Sequence, residues 1–209
     1  MAIIKPIFFT SDWHIGHKKV LQLSDRPFKT VEEMAASLVR RYNATVPENG
    51  VCYFLGDMGL CKSSTIKEVV DQLNGTKVLV LGNHDKKINA MYAMGFDVVM
   101  YGATITVGGQ KVTMTHCPLL GVPRENTEDM KGSIEGENWH GESRENRKIF
   151  TCTDEGQFHL HGHIHSPNGG KSQKILGRQF DVGVDANSYT PVSISTIESW
   201  ISLTLKEKD

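Results

Sequence analysis

The chain has 209 residues, of which 39% are hydrophobic and 22% charged, a composition typical of a globular protein with a substantial core. Its 23 basic and 24 acidic residues give a formal net charge of −1, so nonspecific binding to long nucleic acid, which needs a basic excess, is not expected. No apolar run approaches the ~18 residues that a membrane span needs, which excludes a membrane partner. The cysteines lack C-x-x-C spacing and are interpreted as reduced thiols, which favours the cytoplasm of a bacterium, or of a host cell if a phage encodes the chain.

The first half of the chain alternates predicted strands with predicted helices. Three short apolar runs bounded by turn signals are predicted to be buried strands: 5–10, 51–55 and 78–81. Helical periodicity and stop signals predict three helices: 31–46, 65–73 and 88–94. The first of these helices begins with the spacing of a capping box, Thr30 followed three residues later by Glu33.

The second half is richer in strands. Residues 103–107 and 111–115 flank Gly108-Gly109, which predicts a β-hairpin with a two-residue turn. Three further elements are predicted toward the end of the chain: strands at 158–161 and 179–184, and an amphipathic helix at 194–205.

A charged, glycine-rich loop over about 121–156 interrupts the second half. A loop of this length inside a compact domain is usually functional or mobile. We interpret residues 1–209 as one α/β domain that carries this loop as an insertion, with either a mixed sheet or two stacked sheets.

Side chains that commonly bind metals follow the carboxyl ends of five predicted strands. They are Asp12 and His14, Asp57, the run Asn83-His84-Asp85, His116, and the pair His163 and His165. In open α/β sheets ligands bind beyond the carboxyl ends of the strands, so we expect these residues to form one site. Three glycines precede them directly and are expected to let the backbone turn sharply toward the site: Gly56, Gly82 and Gly162.

Each motif alone has an ordinary structural interpretation. Asp57 after glycine is common in turns, Asn83 can cap the helix that follows it, and His116 can be a hydrogen-bonded residue at a strand end. The pair His163 and His165 is a stronger signal, because alternate residues of an extended segment project to the same side. Five such motifs, each at a strand end, are hard to explain as coincidence.

Taken in order, the five motifs resemble those of the calcineurin-like metallophosphoesterase superfamily, over residues 7–185. The resemblance implies an α/β fold with two mixed β-sheets packed face to face as a sandwich flanked by helices. It also implies two divalent metal ions with these ligands: Asp12, His14 and His165 for the first, Asn83, His116 and His163 for the second, and Asp57 bridging both. Mn²⁺ is the expected metal, with Fe, Zn²⁺ or Ni²⁺ as alternatives, because mixed oxygen and nitrogen ligands suit them better than Ca²⁺.

The resemblance further implies in-line attack on the phosphate by a hydroxide that bridges the two ions. His84 is not a ligand in this scheme. It resembles the histidine beside the leaving group, where it donates a proton or stabilises developing charge. Asp85 is a candidate for orienting His84, with capping of the following helix as the alternative.

The residues after the Gly-Asp motif narrow the choice of substrate. Protein Ser/Thr phosphatases of this superfamily carry a second Asp and an Arg there, whereas this chain continues Met58-Gly59-Leu60, which disfavours phosphoproteins. The absence of both residues points instead to the small bacterial and phage phosphodiesterase-like branch. The segments 12–17 and 26–28 resemble one branch of small phosphoesterases.

Three further residues are candidate substrate contacts. His17 either lines the pocket or flanks a short helix at 18–23. Arg144 and Arg147 lie in the long loop, which is either a lid whose guanidinium groups bind phosphate or a solvated surface segment.

The leading functional hypothesis is hydrolysis of a phosphodiester in a nucleotide-like substrate. A phosphomonoesterase acting on a small metabolite or a nucleic-acid terminal phosphate is the main alternative, because the same ions serve both reactions. A nuclease on long DNA or RNA and a non-catalytic scaffold rank below these two. The sequence leaves a homodimer open.

Overall fold

The computed structural model describes residues 5–119, 150–166 and 175–206. These residues contain ten strands: β1 Ile7–Thr10, β2 Val51–Phe54, β3 Thr76–Val80, β4 Val98–Met100, β5 Ala103–Val107, β6 Gln110–Met114, β7 Phe158–His161, β8 Ile175–Leu176, β9 Gln179–Asp181 and β10 Val192–Ser193. They also contain five α-helices: α1 Val20–Leu23, α2 Val31–Thr45, α3 Ser63–Val70, α4 Ile88–Ala93 and α5 Ile194–Lys206. Within these ranges, every helix is too short or too polar to cross a bilayer.

The described strands form two five-stranded sheets, both of them mixed. The first has the order β10-β1-β2-β3-β4, in which β1 to β4 are parallel and β10 is antiparallel to β1. The second has the order β5-β6-β7-β9-β8, in which β6, β7 and β9 are parallel and the two edge strands are antiparallel to their neighbours. Each sheet therefore gathers the carboxyl ends of three or more parallel strands along one edge.

Alternation along β1 sends two neighbouring phenylalanines to opposite faces of the first sheet. Phe9 packs in a core between the two sheets, with Leu160 of β7 and Trp200 of α5. Phe8 packs in a second core, with Met34 of α2, between the sheet and the helices. Burying each such side chain stabilises the fold by roughly 1.5–3 kcal/mol relative to leaving it exposed to water. The expected sandwich of two mixed sheets flanked by helices is confirmed.

The capping box predicted before α2 is present. The Thr30 Oγ1 accepts a hydrogen bond of 3.1 Å from the backbone N–H of Glu33. The Glu33 carboxylate accepts one of 2.8 Å from the backbone N–H of Lys29 rather than that of Thr30. The apolar positions predicted from periodicity are buried: Met34, Leu38 and Tyr42.

The predicted hairpin is confirmed, since Val107 pairs with Gln110 across a two-residue turn between β5 and β6. Three strands were not predicted, namely β4, β8 and β10. They have three, two and two residues, which is too short for periodicity to register. Sheet pairing with a neighbouring strand, rather than local sequence, defines them.

Candidate metal centre

The seven predicted ligands converge at the carboxyl ends of strands from both sheets. Asp12 and His14 follow β1, Asp57 follows β2, Asn83 follows β3, His116 follows β6, and His163 and His165 follow β7. Beyond the strands, the Asp12 N–H donates to Gly56 O and the His14 N–H donates to Asp57 O, both at 3.0 Å. These bonds extend the parallel alignment of β1 and β2 and bring their ligands side by side.

The first donor set contains Asp12, His14 and His165, whose ligand atoms lie within 4.8 Å of one another. The two Nε2 atoms of His14 and His165 are only 3.1 Å apart. The Asp12 Oδ1 lies 3.9 Å from the first Nε2 and 3.8 Å from the second. Two ring nitrogens and one carboxylate oxygen thus surround a common point.

The second donor set contains Asn83, His116 and His163. The Asn83 Oδ1 lies 2.8 Å from His116 Nε2 and 3.1 Å from His163 Nδ1. The two ring nitrogens are themselves 3.1 Å apart. The His116 Nδ1 lies 2.7 Å from Leu55 O, so its N–H donates there and Nε2 is the ring nitrogen that faces the other donors.

Asp57 lies between the two sets. Its Oδ2 is 3.6 Å from His14 Nε2 and 3.5 Å from His116 Nε2. Its Oδ1 accepts a hydrogen bond of 2.9 Å from the backbone N–H of His84. One carboxylate oxygen is therefore within reach of both donor sets.

The backbone of this site is strained in a consistent way. Eight non-glycine residues of the described chain have positive φ, and five are predicted ligands: Asp12, His14, Asp57, His163 and His165. Such conformations cost about 1–3 kcal/mol each and cluster at functional sites. The prediction that His163 and His165 lie in an extended segment was wrong, because both are left-handed, with φ of 70° and 48°. They consequently reach different donor sets.

Two of the predicted glycines have distinct roles. Gly56 has φ +91°, and a Cβ there would lie 2.6 Å from His116 Nδ1. It thus provides the sharp turn that was expected. At Gly162, a Cβ would collide with Ser11 Oγ and Asp12 Oδ2. There the absence of a side chain, rather than an unusual φ, leaves room for the Asp12 carboxylate.

Burial and mutual charge shift the pKa values of these groups. Burial raises the pKa of Asp12 to about 6, despite the opposing charge of His165. Burial would also raise the pKa of Asp57, but the charge and hydrogen bond of His116 outweigh it and hold that pKa below its usual range. Conversely, burial would lower the pKa of His116, but the Asp57 carboxylate raises it to about 10. Burial lowers the pKa of His14 well below its usual value.

The two predicted catalytic residues take different positions. The His84 imidazole is about one-third exposed, and its Nε2 lies 4.0 Å from Asp57 Oδ2. Asp85 is bound to the backbone: its Oδ2 accepts from the N–H groups of Asp57 and Gly82, and its Oδ1 from that of Met58, each at 2.9 Å. Among the described residues, no hydrogen bond or ion pair joins Asp85 to the His84 ring.

Of the predicted substrate contacts, only His17 falls within the described residues. Its ring centroid lies 5.5 Å from that of His14. Its Nδ1 is buried and has no hydrogen-bond partner in the described part of the chain. Burial, and next the charge of His84, lower the pKa of His17. Arg144 and Arg147 lie outside the described residues, as does most of the loop at 121–156.

Two residues beside the donors were missed by sequence reasoning. Asp185 follows β9, and its Oδ2 lies 2.8 Å from His165 Nδ1. The strand-end rule that found the other ligands also applies to Asp185, since a strand was predicted at 179–184. The Cys117 thiol lies within 4.8 Å of a ring nitrogen of both His116 and His163, next to the second donor set.

The arrangement fits metal binding. In the described chain, the buried Asp12 Oδ1, which faces the first donor set, has no hydrogen-bond partner. Two Nε2 atoms 3.1 Å apart either share a proton or bind a common cation, and flanking carboxylates favour a cation. Mixed carboxylate, amide and imidazole donors suit Mn²⁺, Fe, Zn²⁺ and Ni²⁺.

Comparison with known proteins agrees with this site. Residues 5–167 match the family of calcineurin-like phosphoesterases. The chain is 31% identical over 201 residues to the Gene 66 protein of Mycobacterium phage L5, with 86% of both chains covered. It is 27% identical over 198 residues to the protein MJ1445 of Methanocaldococcus jannaschii, covering 93% of this chain and 90% of the other.

A solved structure shows the same fold. The protein AQ665 from Aquifex aeolicus, described as of unknown function, superposes with a TM-score of 0.67 at 22% identity. The superposition covers 94% of this chain and 100% of that one.

The fold and the site together define a phosphoesterase. The chain belongs to the calcineurin-like phosphoesterase family, in agreement with the resemblance of its motifs. It is accordingly a metal-dependent phosphoric ester hydrolase.

Proposed function

We propose that this protein hydrolyses a phosphodiester in a nucleotide-like substrate, using two divalent ions, with Mn²⁺ preferred. The observation that carries the proposal is the position of Asp57 Oδ2, 3.6 Å from His14 Nε2 in one donor set and 3.5 Å from His116 Nε2 in the other. A carboxylate shared by two cations offsets their mutual repulsion, which a site for a single ion does not need.

The seven proposed ligands are Asp12, His14 and His165, then Asn83, His116 and His163, with Asp57 shared. When bound, two divalent ions would lower the pKa of water and neutralise the charge of the phosphate. All seven ligands come from one chain, so the proposed reaction needs no second copy. A cytoplasmic location is part of the proposal and agrees with four cysteines that form no disulfide with one another.

His84 is proposed to assist the leaving group. Its backbone N–H donates to Asp57 Oδ1 at 2.9 Å, which anchors His84 beside the shared carboxylate. Its ring is partly exposed, so substrate can reach it. A proton donated from this imidazole to the departing oxygen would prevent a strongly basic alkoxide from leaving unprotonated. We propose that Asp85 serves the same step indirectly, by fixing the backbone of Asp57.

A preference for diesters is supported by the arginines of the described chain, all of which are bonded to other protein groups. Arg26 is buried against Asp185, and three others bond elsewhere: Arg40 to Ser37, Arg41 to Ser188 and Arg178 to Gly156. The described side chains next to His14 that could contact substrate are instead the imidazoles of His17 and His84. A diester carries one negative charge where a monoester carries up to two, so it requires fewer cationic contacts.

Arg144 and Arg147 remain proposed phosphate contacts, which the double substitution to alanine tests. A raised KM on the true substrate supports the contact, and unchanged kcat and KM remove it. His17→Gln is the matching test for the third proposed contact.

The diester proposal is tested by assaying Mn²⁺-loaded protein on bis(p-nitrophenyl) phosphate and p-nitrophenyl phosphate side by side, and then on cyclic nucleotides and dinucleotides. We expect a higher kcat/KM on the diester and activity on at least one nucleotide diester. An Asp57→Asn variant controls for contaminating activity. A higher kcat/KM on the monoester would favour a phosphomonoesterase and overturn the proposed preference for diesters.

A further inference from the structure

We propose that Arg26 and Asp185 form a buried positioning pair that fixes two ligands of the first donor set, Asp12 and His165. The inference rests on the proposed two-ion site. It assigns to these two residues a role in holding one of the two ions.

Asp185 orients the His165 ring. Its Oδ2 lies 2.8 Å from His165 Nδ1, closer than the Ser24 Oγ at 3.1 Å. An ionised carboxylate only accepts, so Nδ1 carries the hydrogen and Nε2 is left with its lone pair. That Nε2 is the atom 3.1 Å from His14 Nε2. A carboxylate behind a metal-binding histidine is a common way to fix its tautomer and ring orientation.

Arg26 holds both Asp185 and the backbone that carries Asp12. Its Nε donates to Asp185 Oδ1 at 2.8 Å, and its Nη2 donates at 2.7 Å to both Asp185 Oδ2 and Asp12 O. Its Nη1 lies 3.1 Å from Trp13 O and 3.3 Å from the Met34 sulfur. All five N–H donors of the guanidinium therefore have an acceptor.

The geometry requires arginine in particular. The Arg26 side chain is 0% exposed, and the pair meets in a bidentate arrangement that a lysine, with a single ammonium group, cannot reproduce. Asp12 also has φ 59°, a conformation that needs support from its surroundings. One guanidinium group thus connects the end of β1 with the turn after β9, and through each connection supports a different ligand.

The test is a titration of metal-stripped, full-length protein with Mn²⁺, following free Mn²⁺ by electron paramagnetic resonance. For wild type we expect two ions per chain. In Asp185→Asn we expect one of the two binding steps to weaken by about 10–100-fold, the usual effect of removing a carboxylate behind a ligand, while the other step is retained. Arg26→Lys should weaken the same step, since both ligands that the pair supports belong to the first donor set.

A matched control is Asp97→Asn. The Asp97 carboxylate also accepts a backbone N–H, that of Lys77 at 2.7 Å, but Asp97 precedes β4 and so lies at the opposite end of the parallel strands from the donor sets. It should leave both binding steps unchanged. If Arg26→Lys does not fold, Asp185→Asn alone decides the result.

A second readout does not involve affinity. In Zn²⁺-loaded wild type, proton NMR should show separate downfield ring N–H signals for His165 and His116, and Asp185→Asn should shift or remove only the first. Two binding steps equal to wild type in Asp185→Asn, or equal weakening in Asp97→Asn, would overturn the inference. Fewer than one ion per chain in wild type would instead refute the proposed function.

Discussion

The Asp85 Oδ2 accepts a hydrogen bond of 2.9 Å from the backbone N–H of Asp57, so one buried carboxylate fixes the main chain of another. The same oxygen accepts from Gly82, and the other oxygen from Met58. Burial, and next the charge of Asp57, raise the pKa of Asp85 to about 7, against the amide donors that lower it. Asp85 therefore joins the loops after β2 and β3, and its contact is with the backbone of Asp57.

We predict that Asp85→Asn lowers both stability and Mn²⁺ affinity. An amide has one acceptor oxygen where the carboxylate has two, so at least one buried N–H loses its partner at a cost of about 1–3 kcal/mol. Urea unfolding and Mn²⁺ titration measure the two effects. Asp97→Asn is the control, because Asp97 also accepts a backbone N–H, that of Lys77 at 2.7 Å, but precedes β4, at the opposite end of the parallel strands from the site. A loss of kcat with unchanged metal affinity would instead support an orienting role toward His84.

For His84→Gln we predict a fall in kcat of about 10²–10⁴ on a nucleotide diester, because general acid assistance typically contributes that much. The ion content should stay the same, since His84 is not a proposed ligand. On bis(p-nitrophenyl) phosphate the loss should be smaller, because nitrophenolate is a weak base and needs little protonation. Equal losses on both substrates would contradict a role at the leaving group.

Gly162→Ala should weaken Mn²⁺ binding by at least about tenfold, or about 1.4 kcal/mol. The new Cβ would collide with Ser11 Oγ and Asp12 Oδ2, so it displaces a proposed ligand. Gly102→Ala is the control, because a Cβ there is no closer than 3.3 Å to Met114 O. Unchanged affinity in Gly162→Ala would mean that Asp12 is not held in its ligand position by this close packing.

The free energy of unfolding of the metal-free protein should depend on pH through the titration of His116. Asp57 raises its pKa to about 10 in the folded protein, against 6.5 for the ordinary side chain. The folded state therefore holds this proton more tightly. Its stabilising contribution is complete below about pH 6.5 and is lost as pH rises toward 10.

We therefore expect the free energy of unfolding to fall between pH 6.5 and 8 when it is measured in the presence of a metal chelator. This window lies below the range in which ordinary thiols titrate, so the cysteines do not contribute to the slope. The slope should approach about 1.4 kcal/mol per pH unit for one proton. It should become shallower in His116→Gln, where a part remains because burial would lower the pKa of His165 but the hydrogen bond to Asp185 outweighs it and raises that pKa. It should persist in full in His159→Gln, since burial lowers the pKa of His159 to about 3. Identical slopes in wild type and His116→Gln would contradict the paired state of His116 and Asp57.

The sequence predicted the strand ends of this site well, because each short apolar run was followed by a side chain that commonly binds metals. Asp12 and Asp57 illustrate this: each follows a buried strand, and the parallel pairing of β1 with β2 brings them together. His116 follows a strand of the second sheet, so its approach to them depends on how the two sheets pack. Periodicity could not register strands of two or three residues such as β8 and β4. It could not reveal that His163 and His165 are left-handed either, since φ there depends on tertiary packing.

The supporting residues were harder to predict than the ligands. Arg26 is separated from Asp185 by 159 positions, and no local pattern connects them. Asp85 follows His84 directly, which suggested contact between their side chains, yet its carboxylate bonds to backbone groups 27 and 28 positions away. Such pairings depend on the tertiary arrangement of loops, which local spacing does not determine.

The most direct test of the central claim is the number of ions per chain. Metal-stripped wild type is reconstituted with excess Mn²⁺, freed of unbound ion, and analysed for metal by mass spectrometry, beside Asp57→Asn and the surface control Asp71→Asn. The two donor sets that share Asp57 predict two ions in wild type and in the control, and a loss of at least one in Asp57→Asn. Fewer than one ion in wild type, or two tightly bound ions in Asp57→Asn, would contradict the shared-carboxylate centre.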